Sequence, residues 1–129
     1  MTRVTPLRCL IIDDSPNFFA AARGLLEQQG VTVVGVAATG AEALRRVAQL
    51  RPDVALVDVN LGAESGFAVA ERLTVPVILI STHSEQDFAE LIAESPAVGF
   101  LSKSALSSAA IDDLLRGDNA GRLSVTRGT

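Results

Sequence analysis

The sequence predicts an α/β fold, five β-α units forming a doubly wound, five-stranded parallel sheet in the order 2-1-3-4-5. Three observations carry that prediction. Apolar, strand-like runs alternate along the chain with segments whose apolar residues recur at helical spacing. Helix-start and helix-stop residues punctuate the changes from one to the other. Four of the apolar runs end in a polar group, and in an open parallel sheet those ends share the edge where ligands bind.

Each element has its own justification. The first run, residues 9–12, is β1, and it ends in Asp13-Asp14. Ser15-Pro16 opens α1, because a serine hydroxyl caps free backbone N–H groups and a proline in the first turn has none to satisfy. α1 continues to Gln29 with Phe19, Ala22, Leu25 and Leu26 at helical spacing, and Gly30 ends it. The valine-rich stretch 32–37 is β2. Thr39, with Glu42 three residues on, has the spacing of a capping box for α2, which turns Ala43, Leu44, Val47 and Leu50 inward and stops before Pro52. Residues 54–57 form β3, apolar on both faces as a central parallel strand must be, and lead into Asp58. Gly62, Ser65 and Gly66 make a flexible loop before α3, 67–73. β4 starts around Pro76 and ends in Ser81; Ser84 caps α4, 85–93, which Pro96 closes. β5, 99–102, leads into Lys103, and α5, 106–115, is the last helix. Residues 1–117 read as one domain and 118–129 as a disordered or linker tail.

Composition narrows the function. At 129 residues the chain is long enough for one domain that buries about two-thirds of its unfolded surface. Five Phe, no Trp, no Tyr and a net charge of −4 disfavour nucleic acid and bare sugar, which recruit stacking rings or basic surfaces. A single cysteine, Cys9, permits no disulfide within the chain and suits a reducing compartment. No apolar run approaches the roughly 20 residues that span a bilayer, and the first residues lack a signal-peptide core. The expectation is a cytoplasmic protein that meets neither nucleic acid nor membrane through this segment.

The strand ends bring Asp13, Asp14, Asp58, Ser81 and Lys103 to one edge, at the switch point between β1 and β3. Two unit charges 4 Å apart interact by about 4 kcal/mol at an effective dielectric of 20, so three carboxylates need compensation. Mg²⁺ (or Mn²⁺) together with the Lys103 ammonium supplies it, and oxygen ligands suit those ions. One His and one Cys cannot build a transition-metal site. A cation beside a carboxylate, a hydroxyl and a lysine is equipped to hold a phosphoryl group, whose transfer depends on positioning and charge neutralisation. Asp58, alone at the end of the central strand, is the candidate nucleophile. Asp13 and Asp14 then hold the metal, the Asn60 backbone carbonyl completes its ligands, Ser81 hydrogen-bonds a phosphoryl oxygen and Lys103 pairs with another.

Those four strand-end elements, in that order, resemble the receiver domain of two-component response regulators, the CheY-like superfamily, over about residues 7–115. The resemblance implies a flavodoxin-like fold, and Asp58 as phosphoacceptor for a histidine kinase or a histidine phosphotransfer protein, with small donors such as acetyl phosphate also serving. It implies a switch pair, Ser81 and Phe100, in which Ser81 is drawn inward on phosphorylation and Phe100 follows. The α4-β5-α5 face would then change its preference for an output protein or output domain, or for a second copy of the chain. Asp58-Val59-Asn60 and Ser102-Lys103-Ser104 resemble receivers that precede helix-turn-helix outputs. Only 14 residues follow Leu115, so the chain reads as a single-domain regulator or as a separated N-terminal module.

Three departures from the family pattern bear on kinetics and output. Ser104 stands where a proline is common, Thr82 where a smaller side chain is common, and 60–66 lacks the frequent methionine-proline step. Asn60, Thr82 and His83 occupy positions that tune the attacking water, and His83 is the candidate for adjusting dephosphorylation. Phe18, Phe19 and Phe67 read as packing residues. Two other functions fit less well. A receiver-like scaffold that is never phosphorylated would not need every site group. A phosphoaspartate phosphohydrolase would carry its nucleophile after the first strand and its paired acids last.

Overall fold

Parallel pairing along a central strand organises the chain. The computed structural model describes residues 5–126, with side chains as far as residue 117. β1 (Arg8–Ile12) pairs with β2 (Thr32–Ala37) on one side and with β3 (Val54–Asp58) on the other. β3 pairs in turn with β4 (Val77–Ser81), and β4 with β5 (Gly99–Ser102). All four pairings are parallel and the order is 2-1-3-4-5, the order that the sequence predicts.

Alternating side chains divide the core in two. Leu10, Ile12, Ala55, Val57 and Leu79 point to one face, where α2 (Gly40–Leu50) and α3 (Gly66–Arg72) supply Ala43, Val47, Val69 and Ala70. Cys9, Ile11, Leu56, Ile78 and Ile80 point to the other, against Ala22 and Leu26 of α1 (Pro16–Gln28) and Ile111 of α5 (Ser108–Thr126). Every residue of β3 and β4 is buried, as strands covered on both faces must be. Burial in that apolar setting pushes the Cys9 thiol up to about 12.

The helix signals act locally as the sequence suggests. Ser15 Oγ accepts from Phe18 N at 3.3 Å with Pro16 at the first position of α1. Thr39 Oγ1 accepts from Glu42 N at 3.1 Å, and the Glu42 carboxylate reaches past the cap to accept from Ala38 N at 2.8 Å rather than from Thr39 N, so only half of the expected capping box forms. At the other end of α2, Arg51 is left-handed with φ 48°, and the Arg8 guanidinium donates to the carbonyls of Leu50 and Arg51 at 2.7 and 2.8 Å.

Four boundaries differ from expectation. The stretch expected to be a flexible loop is a small antiparallel hairpin, Asn60–Leu61 against Glu64–Ser65, and Gly66 is the first residue of α3, capped by Ser65. Gly62, at φ 67°, lets the hairpin close in two residues. α4 is not one α-helix over 85–93. A 3₁₀ turn, Glu85–Phe88, precedes α4 (Ala89–Glu94), and the break falls where the Phe88 ring packs 5.9 Å from Phe67 and 6.3 Å from Phe100. β4 begins one residue after Pro76, which has no N–H for the ladder. α5 begins at Ser108, after a 3₁₀ turn Lys103–Ala105 and the buried Leu106, and continues beyond Leu115. The tail expected over 118–129 lies outside the residues whose side chains are described, and 127–129 lie outside the described residues altogether. Among the described residues no helix is long and apolar enough to cross a membrane.

Candidate functional site

The carboxyl edge of the sheet gathers the charged strand ends. β1 delivers Asp13 and Asp14, β3 ends on Asp58, and one oxygen from each of the three carboxylates lies within 4.8 Å of the others. From the end of β5, Lys103 places Nζ 2.6 Å from Asp13 Oδ2 and 3.1 Å from Asp58 Oδ2. Asp13 is completely buried, Asp58 nearly so and Asp14 exposed. Asp13 Oδ1 accepts from Ser15 N at 2.9 Å. Asp13 Oδ2, buried in the same way, faces the Lys103 ammonium at that 2.6 Å.

Three negative charges face one positive charge here, and Asp58 responds. Burial raises the Asp58 carboxyl above the usual carboxylate range, helped by the nearby Asp13 charge; the Asn60 N–H, 3.0 Å from Asp58 Oδ1, and the Lys103 ammonium pull the other way without prevailing. Burial acts to lower Lys103, but its hydrogen bonds to Asp13 and Asp58, and their charges, hold the ammonium above the ordinary lysine value. The Phe18 ring, expected only to pack, lies 4.3 Å from Lys103 Nζ and holds the cation over its face.

Asp14, Asp58 and Lys103 line an open cleft of about 390 Å³. Asn60, Ser81, Thr82 and His83 face the same cleft. Ser81 is buried and its Oγ accepts from His83 N at 3.0 Å, so the hydroxyl is engaged within its own loop. Thr82 and His83 are exposed, and the imidazole meets the Phe88 ring edge-on at 6.1 Å. Phe100 is away from the cleft, 8% exposed, in the core beside Phe88.

A glycine expected only to give flexibility turns out to be a steric necessity. A Cβ on Gly66 would lie 1.9 Å from the Asp58 carbonyl oxygen and 2.7 Å from Val59 Cα, so the start of α3 packs directly on the backbone that carries Asp58. Gly66 N also donates to Val59 O at 2.9 Å. The readable signal was its place just after the capping Ser65, where a helix begins.

The donor set fits a hard divalent cation. It consists of carboxylate oxygens and carries excess negative charge around a single ammonium.

Comparison with known proteins agrees with this geometry. Residues 9–115 match the family described as the response regulator receiver domain. A Pseudomonas aeruginosa protein described as a transcriptional regulator is 35% identical over 101 residues, 74% of this chain and 49% of its own length. The DNA-binding transcriptional activator EvgA of Escherichia coli K12 is 30% identical over 102 residues, 75% of this chain and 50% of its own. The chain thus spans about half the length of these curated relatives. The signal receiver domain of the response regulator NarL from Mycobacterium tuberculosis superposes with a TM-score of 0.73 at 32% identity, covering 85% of this chain and 97% of that one. With the family match spanning both the sheet and every strand-end charge, the chain belongs to the response regulator receiver domain family of two-component signalling.

Proposed function

We propose that this receiver is switched by phosphorylation of Asp58, with a histidine kinase or a histidine phosphotransfer protein as donor, and that residues 1–117 are the functional unit. The observation that carries the reading is the position of the Asp58 carboxylate. It ends the central strand, opens onto the cleft, and shares its surroundings with two more carboxylates and Lys103. A carboxylate oxygen of Asp58 attacks phosphorus, the bond from phosphorus to the donor nitrogen breaks, and the donor imidazole leaves with its electron pair. The product is a mixed anhydride on Asp58.

Asp13, Asp14, Asp58 and the Asn60 carbonyl would hold Mg²⁺ or Mn²⁺, which when bound neutralises charge on the phosphoryl oxygens. The protein's own groups do the rest. Lys103 is kept protonated by Asp13 and Asp58 and is close enough to follow the negative charge onto a phosphoryl oxygen. Ser81, whose Oγ accepts from His83 N–H, donates its hydroxyl hydrogen to a phosphoryl oxygen, which draws the β4-α4 loop toward Asp58. Phe100, packed on Phe88 at the root of α4, transmits that shift to the α4-β5-α5 face. Thr82, His83 and Asn60 border the path of water to the anhydride and set its lifetime. By similarity to EvgA, whose name describes a DNA-binding activator, the face governs an output domain or protein, or pairs two copies.

The test is intact mass after incubation with Mg²⁺ and acetyl phosphate. One phosphoryl adduct is expected on the wild type and none on Asp58→Asn or in EDTA. A wild type that takes no phosphoryl group from acetyl phosphate or from a phosphorylated histidine phosphotransfer protein would be a scaffold instead.

A further inference from the structure

The hairpin after Asp58 is fastened to a helix that the phosphorylation chemistry does not otherwise use. Glu64 Oε1 accepts a hydrogen bond at 2.9 Å from the N–H of Gly40, the first residue of α2. The contact depends on the absence of a side chain at residue 40, since a Cβ there would lie 2.7 Å from Glu64 Oε2 and 3.0 Å from Val69 Cγ2. α2 already has its own cap from Thr39, and Glu42 reaches back to the Ala38 N–H. Glu64 is therefore an added tie from outside the helix. Its negative charge is also settled at the positive end of α2.

The other side of Glu64 leads to the site. In the hairpin Glu64 is the cross-strand partner of Leu61, and Ser65 that of Asn60. The peptide between Asn60 and Leu61 bears the Asn60 carbonyl. Leu61 is buried in the core, Gly62 makes the turn at φ 67°, and Glu64 is half-buried against α2. The two ends of the turn are thus anchored to different bodies, one to the core and one to α2.

We propose that Glu64 is a positioning residue for the metal ligand set. By fastening the hairpin to α2 it fixes the Asn60 carbonyl relative to Asp13 and Asp58. The proposal rests on the metal-ligand role of Asn60 given above.

Mn²⁺ binding to the whole chain, read from the paramagnetic resonance of the free ion, tests this. Glu64→Ala is expected to weaken binding about tenfold, the lower end of what loss of a ligand-orienting residue costs. Glu64→Gln keeps an oxygen for the Gly40 N–H and is expected to stay within about twofold of wild type. Gly40→Ala leaves Glu64 in place but pushes its carboxylate aside, and is expected to resemble Glu64→Ala. Melting in EDTA is followed in parallel. Wild-type Mn²⁺ affinity in Glu64→Ala, whatever its melting temperature, would overturn the proposal, and so would equal losses in Glu64→Gln and Glu64→Ala. Should Glu64→Ala not fold, Gly40→Ala and Glu64→Gln decide alone. A wild type that binds no Mn²⁺ would overturn the metal reading and this inference with it.

Discussion

The Asp58 carboxylate is the proposed phosphoacceptor, and its position is decided at its backbone. The Asp58 carbonyl oxygen and Val59 Cα leave no room for a β-carbon on Gly66, since the nearest approach would be 1.9 Å. Main-chain atoms cannot swing aside as a side chain can, so Gly66→Ala must move α3 or the end of β3. A stability loss of about 2 kcal/mol or more is expected in urea unfolding, the scale of overpacking a closed site. Phosphorylation by acetyl phosphate should slow as well, because the carboxylate moves with its backbone; an unchanged rate in a destabilised variant would show that α3 alone yields. Asp13, Asp14, Asp58, Ser81 and Lys103 were legible in the sequence because each stands at the end of an apolar, strand-like run. Gly66 and Glu64 were not, and neither was the contact of Phe18 with Lys103. The contacts of Glu64 and Phe18 join segments distant in sequence, which no local pattern encodes, and Gly66 showed only its place after the capping Ser65, not what it packs on.

Helix boundaries follow the same division between local and distant causes. The caps of α1 and α2 are side-chain to backbone bonds over three residues, and Ser15 and Thr39 form them as their spacing suggests, while Glu42 bonds Ala38 N instead of the cap. The 3₁₀ turn ahead of α4 accompanies Phe88 turning in to Phe67 and Phe100, which no spacing reveals. The C-terminus of α2 gives a prediction at this scale. Arg51 takes a left-handed conformation, φ 48°, that glycine adopts without a β-carbon clash. The Arg8 guanidinium that closes this end binds only backbone carbonyls, and a glycine keeps them. Arg51→Gly should therefore raise stability by about 0.5–1 kcal/mol after the entropy of the unfolded glycine is set against the relieved strain. A calorimetric Tm higher by about 2–4 °C would register this; a lower Tm would mean that the Arg51 side chain makes a stabilising contact.

Across the whole molecule, a well-packed two-layer core supports an edge that is electrostatically unfavourable by itself. The core was readable as alternation, because β3 and β4 are apolar on both faces and only parallel strands between helices bury that pattern. The cost at the edge follows from three carboxylates around one ammonium. Asp58 shows it, since burial holds its carboxyl above the usual range despite Lys103 and the Asn60 N–H. A group whose folded value is raised contributes fully below its unfolded value, and that contribution is lost as pH rises through the folded value. As pH rises through that raised value, the metal-free protein therefore takes on the cost of ionising Asp58. Asp58→Asn removes that charge and keeps an oxygen for the Asn60 N–H, while Lys103 retains Asp13. In EDTA at pH 7 its Tm should exceed that of the wild type, and the gap should narrow as pH falls toward the carboxyl range. Magnesium should stabilise the wild type by about 1.4 kcal/mol at ten times its dissociation constant, and Asp58→Asn by less, having lost one anionic ligand. Equal melting of the two proteins in EDTA would mean that Lys103 already balances the three aspartates, and that the cation is held for phosphoryl chemistry alone.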